Sequence, residues 1–160
     1  MPDHLGTVLL HNVELGWTET EKAVACEPVY ALAQAMAASG RRVELVALAD
    51  RRIADTLAPY DPRTHLVLNW CECLPGVPHS EPMVARSLEA LGYVFTGAGA
   101  EALELCCDKP RVKGVLEAAG VPTPAWCFCE SPAADGWDRF PAIVKTVHEH
   151  SSEGITSEAV

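Results

Sequence analysis

The sequence predicts an α/β fold built on an open parallel sheet. Two observations predict it. Apolar runs of strand length alternate with stretches of helical pattern, and glycine or proline punctuates most of the junctions between them. At 160 residues the chain has room for one ordinary domain, or for one domain and part of another. Its 49% hydrophobic and 21% charged residues are the composition of a globular, soluble chain that buries a core.

The elements follow in order. "GTVLLHN" reads as a short buried strand, the loop "VELGWTETE" follows, and "AVACEPVYALAQAMAAS" carries a helical pattern that stops at Gly40. "RRVELVALA" is a second β-branched run, "RRIADTLAPY" a short helix ended by Pro59, and "THLVLNWCE" a third strand. "SEPMVARSLEALG" is the next helix, with Gly92 as its stop, and "YVFTG" the next strand. Strand and helix alternating at these lengths imply βαβ units covered on both faces, a Rossmann-like arrangement. No G-x-G-x-x-G dinucleotide fingerprint follows the first strand.

The pattern changes after "GAGAEALELCC". "DKPRVKGVLEAAGVP" is the best-punctuated helix in the chain, with Asp108 as N-cap, Pro110 in the first turn, an apolar stripe of Val112, Val115, Leu116 and Ala119, and Gly120 as stop. Beyond it "TPAWCFCE" and "FPAIVK" are expected to pair as antiparallel strands around a Pro/Ala/Gly/Asp linker. A domain boundary is expected near Glu101 to Asp108, giving domains 1–104 and 105–160.

A formal net charge of −10 repels a phosphate backbone, so a nucleic-acid surface is not expected and any basic group that matters acts locally. No apolar run approaches the ~20 residues that span a bilayer, and the N-terminus lacks the pattern of a signal peptide. No membrane partner and a cytoplasmic location are the expectation. The seven cysteines argue against a complete disulfide framework and for reduced thiols. Cys71/Cys73 and Cys127/Cys129 are spaced by two, which on a strand places both thiols on one face, as half a metal site needs. Core packing is the favoured reading for both pairs and for Cys106 and Cys107, and no metal site is assigned.

Lys109, Lys113 and Lys145, each taken alone, read as solvated surface cations. The loop "HEHSSEG" alters the reading for Lys145. A small-residue loop directly after a strand turns backbone N–H groups and two hydroxyls toward an anion, and the adjacent lysine supplies charge.

These residues carry a resemblance. "LGYVFTGAGAEALELCCDKPRVKGVLEAAGVPTPAW" followed by "FPAIVKTVHEHSSEGI" is similar to the central part of the D-alanine-D-alanine ligases, ATP-grasp carboxylate-amine ligases. The matching stretches are Tyr93 to Ala98, Asp108 to Lys113, Gly120-Val121-Pro122, and Pro141 to Gly154, together covering most of residues 88–155. The resemblance implies a Rossmann-like pre-ATP-grasp domain followed by the start of an α+β ATP-grasp subdomain, with a role in peptidoglycan biosynthesis. It implies ATP and Mg2+ as cofactors and small amino-acid-like substrates. Lys109 and Lys145 would hold the nucleotide phosphates, with Ser151, Ser152 and Gly154 in the loop over them and Ser151 also at the catalytic centre. Glu21 would meet the first amino acid's ammonium group, with Glu19 an equal candidate. The ordinary alternative for either is a helix-start carboxylate favoured by the macrodipole.

Thr146 stands where the family usually has proline, His150 where it has glycine, and Glu153 where it has a small apolar residue. "CECLPGVPHSEP" lacks the family's Gly-Glu-Asp-Gly turn, and His79 within it reads as a turn histidine. In the family the magnesium-binding carboxylates lie downstream of these motifs. The expectation is therefore the front part of a ligase-like enzyme, inactive as 160 residues alone, or else a stand-alone binding module of the same fold. The final stretch from Ser151 is expected to be poorly held, and an unpaired "FPAIVK" edge to favour self-association into a homodimer.

Overall fold

The computed structural model describes residues 5–131 and 136–149. The chain divides into two compact units, Met1–Leu103 and Glu104–Val160.

The first unit is an α/β, Rossmann-like layer. Strands β1 (Gly6–Asn12), β2 (Val43–Leu48) and β3 (His65–Asn69) form a parallel sheet in the order β2-β1-β3. β1 is central because its near-continuous apolar run suits burial on both faces, and six of its seven residues are buried. The register sets Leu10 beside Val46 of β2 and Asn69 of β3. The expected fourth strand contributes one bridge, Val67 to Phe95, with Val67 N–H donating to the Val94 carbonyl and Thr96 N–H to that of Val67.

Helix α1 (Glu19–Ala38) starts where Thr18 and Glu21 form a reciprocal capping box. Its Pro28 lacks an N–H for the Val24 carbonyl, and both residues are exposed, so water can take that group. Helices α2 (Ile53–Leu57) and α3 (Glu81–Ala90) cover the other face of the sheet. There Ile53, Leu57, Val84 and Leu88 pack with Val8, Leu10, Leu48, Val67 and Tyr93 as one core. The Tyr93 hydroxyl reaches the Leu57 carbonyl at 3.1 Å and also bonds the Tyr60 carbonyl, which satisfies its polar end inside that core.

Alternation along β1 sends His11 to the α1 side. It is buried there, with Nδ1 3.9 Å from Cys26 Sγ and its ring edge-on to Tyr30. At the start of β1, Gly6 lies against its register partner His65, where a Cβ would come within 2.5 Å of the imidazole. That strand position therefore requires the absence of a side chain.

β3 stops at Asn69 rather than continuing through Glu72 as the sequence pattern suggested. The Asn69 side-chain oxygen accepts the Cys71 N–H at 3.2 Å, a local turn that competes with the ladder. Cys71 and Cys73 consequently lie in a loop, not on a strand face.

The boundary between the units falls within α4 (Ala100–Cys106). The second unit holds α5 (Lys109–Ala118), capped as expected by Asp108, whose carboxylate accepts the Arg111 N–H at 3.0 Å. It ends in a Schellman motif, Val121 N–H to Leu116 and Gly120 N–H to Glu117, with Gly120 at φ +68. The stripe is less buried than its pattern implied: Val112 and Leu116 are half-buried and Val115 is exposed. The antiparallel strands expected for 123–130 and 140–145 are not formed among the described residues. Pro124 and Pro141 remove ladder donors from these stretches, and an apolar run without a bonded neighbour does not become a strand.

Two outcomes follow from this packing. Burial lowers the His11 pKa from its ordinary 6.5, outweighing a backbone hydrogen bond at Asn12 that acts the other way. The unfolded chain then binds the extra proton, so stability is full above about pH 6.5 and falls as pH drops below it. Urea melts at stepped pH are expected to show this slope, at most about 1.4 kcal/mol per pH unit, and His11→Gln to reduce it. Gly6→Ala is expected to cost about 1–3 kcal/mol through overpacking against His65, and His65→Ala in the same chain to restore most of that loss in thermal melts.

Candidate functional site

Parallel α/β sheets present their ligand crevices at the carboxyl ends of the strands. In the first unit three such ends meet one loop. After β1, Glu14 Oε1 accepts from Asn12 Nδ2 at 3.0 Å and from the Cys73 thiol at 3.0 Å, while Oε2 accepts the Gly76 N–H at 2.9 Å. After β2, Arg51 donates Nε to the Pro75 carbonyl and Nη2 to that of Gly76, both at 3.2 Å. After β3, the loop holds itself closed through Ser80, whose buried hydroxyl accepts the Leu74 N–H at 2.6 Å and bonds the Val77 carbonyl. His79 is exposed in a left-handed turn conformation at φ 57 on the way into α3.

The electrostatics follow from these bonds. Burial would raise the Glu14 carboxyl, but hydrogen bonds from Cys73, the Gly76 N–H and Asn12 together hold it below its ordinary value. The Cys73 thiol is pushed up to about 12, first by burial, then by its bond to Glu14 and the negative charges of Glu14, Glu81 and Glu72. Burial likewise pushes Cys71 up to about 12, with Cys73 adding to it. Neither thiol is a nucleophile at neutral pH. Glu14, Arg51 and Asn12 were not among the residues marked from the sequence. The signal that finds them is positional: each follows or ends a parallel strand on the edge where such sheets bind ligands.

Glu21, the candidate for a substrate ammonium, sits exposed at the third position of α1. Its Oε2 accepts both the Thr18 N–H and the Thr18 hydroxyl at 2.8 Å, and these bonds, the backbone one first, lower its pKa. Glu19 is paired with Lys22 at 2.8 Å.

In the second unit, the start of α5 and the segment carrying Lys145 are brought together. Lys109 Nζ donates to the Val147 carbonyl at 3.1 Å and to the Glu149 carbonyl, and His148 Nδ1 lies 2.9 Å from the Cys107 carbonyl. Lys113 Nζ bonds the Thr123 hydroxyl and, at 3.2 Å, the Pro124 carbonyl, which ties the α5 exit to the helix. Lys145 is exposed. Ser151, Ser152 and Gly154, with His150 and Glu153, lie outside the described residues, as does the expectation for the stretch from Ser151. Cys106, Cys127 and Cys129 are exposed rather than core, because the runs that carry the last two form no strand and are not covered.

Curated relatives decide the family. A "D-alanine--D-alanine ligase" of Alcanivorax borkumensis is 32% identical over 140 residues, 88% of this chain and 42% of that protein. One from Pseudomonas entomophila is 30% identical over 144 residues, 88% of this chain and 43% of the other. The chain is D-alanine--D-alanine ligase-like. A further ligase of that name, from Aquifex aeolicus, is 28% identical over 149 residues, 89% of this chain and 48% of its own. The ligase-like chain thus spans less than half the length of these curated relatives. No family model matches it. Among its described residues no helix is long and apolar enough to cross a membrane.

In this ligase-like chain the Glu14 carboxylate is the clasp of the 71–79 loop. Glu14→Ala is expected to lose three charge-assisted bonds, about 1–3 kcal/mol of local stability, and to remove the nearest charge that suppresses the Cys73 thiolate. Hydrogen exchange at Gly76 and alkylation of Cys73 should both accelerate; unchanged rates at both positions would refute the clasp.

Proposed function

We propose that the chain supplies the front part of an ATP-dependent, D-alanine--D-alanine ligase-like enzyme of the ATP-grasp class, with residues 1–104 as the pre-ATP-grasp domain and 105–160 opening the ATP-grasp subdomain. The enzyme activates a carboxylate as an acyl phosphate and joins it to an amine in cytoplasmic peptidoglycan biosynthesis. The observation that carries this reading is the bonding of Lys109 to the Val147 and Glu149 carbonyls, which ties two separate motifs of the resemblance into one unit.

In this reading ATP supplies the phosphoryl group that makes the carboxylate reactive. Lys145, exposed at the head of the small-residue loop, supplies the charge that meets the phosphates. Lys109 keeps one of its three N–H groups for them, after two are given to carbonyls that fix the loop's approach. Ser151, Ser152 and Gly154 add hydroxyl and backbone donors over the same anion, and Ser151 reaches the reacting end. Glu21 retains Oε1 outside its capping box for an ammonium group. Among the described residues no three His, Cys, Asp or Glu side chains gather as a metal site, and no step is assigned to Mg2+. Self-association of two chains through the segment around Lys145 belongs to the same proposal.

A second reading, a binding module without chemistry, is favoured by the fact that Glu21 and Lys109 already have intramolecular partners. One experiment separates them. Residues 1–160 alone are expected to release no phosphate from ATP with Mg2+ and D-alanine. The same residues joined to the remaining part of the Pseudomonas entomophila relative should give D-alanine-dependent release. Lys145→Ala in that chimera should lower turnover by about 10²–10³-fold, the usual loss of a group that stabilises transition-state charge. A cooperatively folded chimera that turns over equally well with and without Lys145 would exclude the assigned role. One that folds but never turns over would favour the module.

A further inference from the structure

We propose that Cys127 and Cys129 form a reversible dithiol–disulfide site, oxidised by low-molecular-weight disulfides, on the segment that leaves α5. The two sulfurs lie 3.6 Å apart in van der Waals and hydrogen-bond contact, and both residues are exposed. The segment is anchored just before them. Trp126 Nε1 donates to Glu117 Oε1 of α5 at 2.8 Å, and Thr123 and Pro124 are held by Lys113. From Cys127 onward the described backbone joins no strand or helix.

Closure to a bond of about 2.05 Å requires the sulfurs to approach by rotation about χ1 and the Cα atoms to draw toward the usual separation of about 5.5–6 Å. In a sheet, ladder hydrogen bonds would resist that bend, since alternate residues of a strand stand roughly 6.6 Å apart or more. Here there is no ladder to break. A metal of tetrahedral demand is not what this pair suits, because no third His, Cys, Asp or Glu joins it among the described residues. Two thiols are, however, the complete requirement for disulfide exchange.

The step balances with oxidised glutathione as the oxidant. The Cys127 thiolate attacks one sulfur of that disulfide and expels a glutathione thiolate, leaving a mixed disulfide. The Cys129 thiolate then attacks Cys127 Sγ and expels the second glutathione. Two protein thiols lose two protons and two electrons, and one glutathione disulfide becomes two glutathione thiols; the opposite order of attack has the same balance. The hydrogen bond that the Cys127 thiol shares with Cys129 is the first cause that raises the Cys127 pKa, so the first attack accelerates as pH rises. A ring this small gains little loop entropy, and an exposed disulfide is of the readily reduced kind. The site is therefore a switch rather than a staple. Cys73, bound to Glu14 with its thiol pushed up to about 12, is the internal control.

The test uses the whole chain. Trypsin releases residues 114–139, which contain Cys127 and Cys129 and no other cysteine. After incubation with excess oxidised glutathione and alkylation of remaining thiols, this peptide is expected to be unalkylated, unglutathionylated and two hydrogens lighter than its reduced form. It should reopen with dithiothreitol and form severalfold faster at about pH 8 than at about pH 7. Cys127→Ser and Cys129→Ser should each stop at a single glutathione adduct. Two alkylated thiols after prolonged oxidation, two glutathione adducts, or linkage of this peptide to a second chain would each overturn the proposal.

Discussion

Everything in the first unit is arranged around the complete enclosure of β1. The run Thr7 to His11 has both faces covered and both edges bonded. A segment with Val8, Leu9 and Leu10 wholly buried contributes on the order of 1.5–3 kcal/mol per large side chain, but only if every backbone group is paired. That condition forces a strand on either side, and the connections to those strands become the helices that cover the faces. The same enclosure fixes what may stand at each position. Gly6 is needed where His65 leans on the backbone, and burial under α1 disfavours the charged form of His11.

The second unit is held differently. α5 buries none of its residues fully, and its neighbours are attached by side chain to backbone bonds: Lys109 to 147 and 149, Lys113 to 124, His148 to 107. Such bonds each contribute about 0.5–1.5 kcal/mol net, up to about 3 where a charged donor is involved. They fix position more than they fix stability. In the reading proposed above, in which this surface approaches a polyanion, such positioning is the useful property, because the lysines that organise the segment are also the charges near it.

The strands and helices of the first unit were legible because burial writes its own period. "GTVLLHN" and "AVACEPVYALAQAMAAS" announce β1 and α1 to within a few residues, and Asp108 and Gly120 mark the ends of α5 by local chemistry alone. What stayed hidden depends on partners distant in sequence. "TPAWCFCE" has the composition of a strand and no ladder, so its cysteines stand in solvent instead of in a core. Asn69 ends β3 by a side-chain bond that no hydrophobic pattern encodes. The Lys109 motif was visible, but its grip on the backbone 38 residues later was not. Glu14 and Arg51 look like ordinary loop charges until the sheet brings them to Pro75 and Gly76.

That meeting point governs how the loop after β3 can vary. Glu14 holds an N–H and Arg51 two carbonyls within Pro75–Gly76, and Ser80 closes the hydrogen-bonded turn from Leu74 to Val77. Residues added between Cys73 and Val77 would pull all three apart at once. Pro78 and His79 are exposed, but they lie inside the turn that Ser80 closes onto Leu74 and Val77, so residues added there would break those bonds as well. The loop from Cys73 to Ser80 is therefore fixed in length, and what the carboxyl edge of this sheet admits is changed by exchanging its exposed side chains, not by grafting in a longer loop.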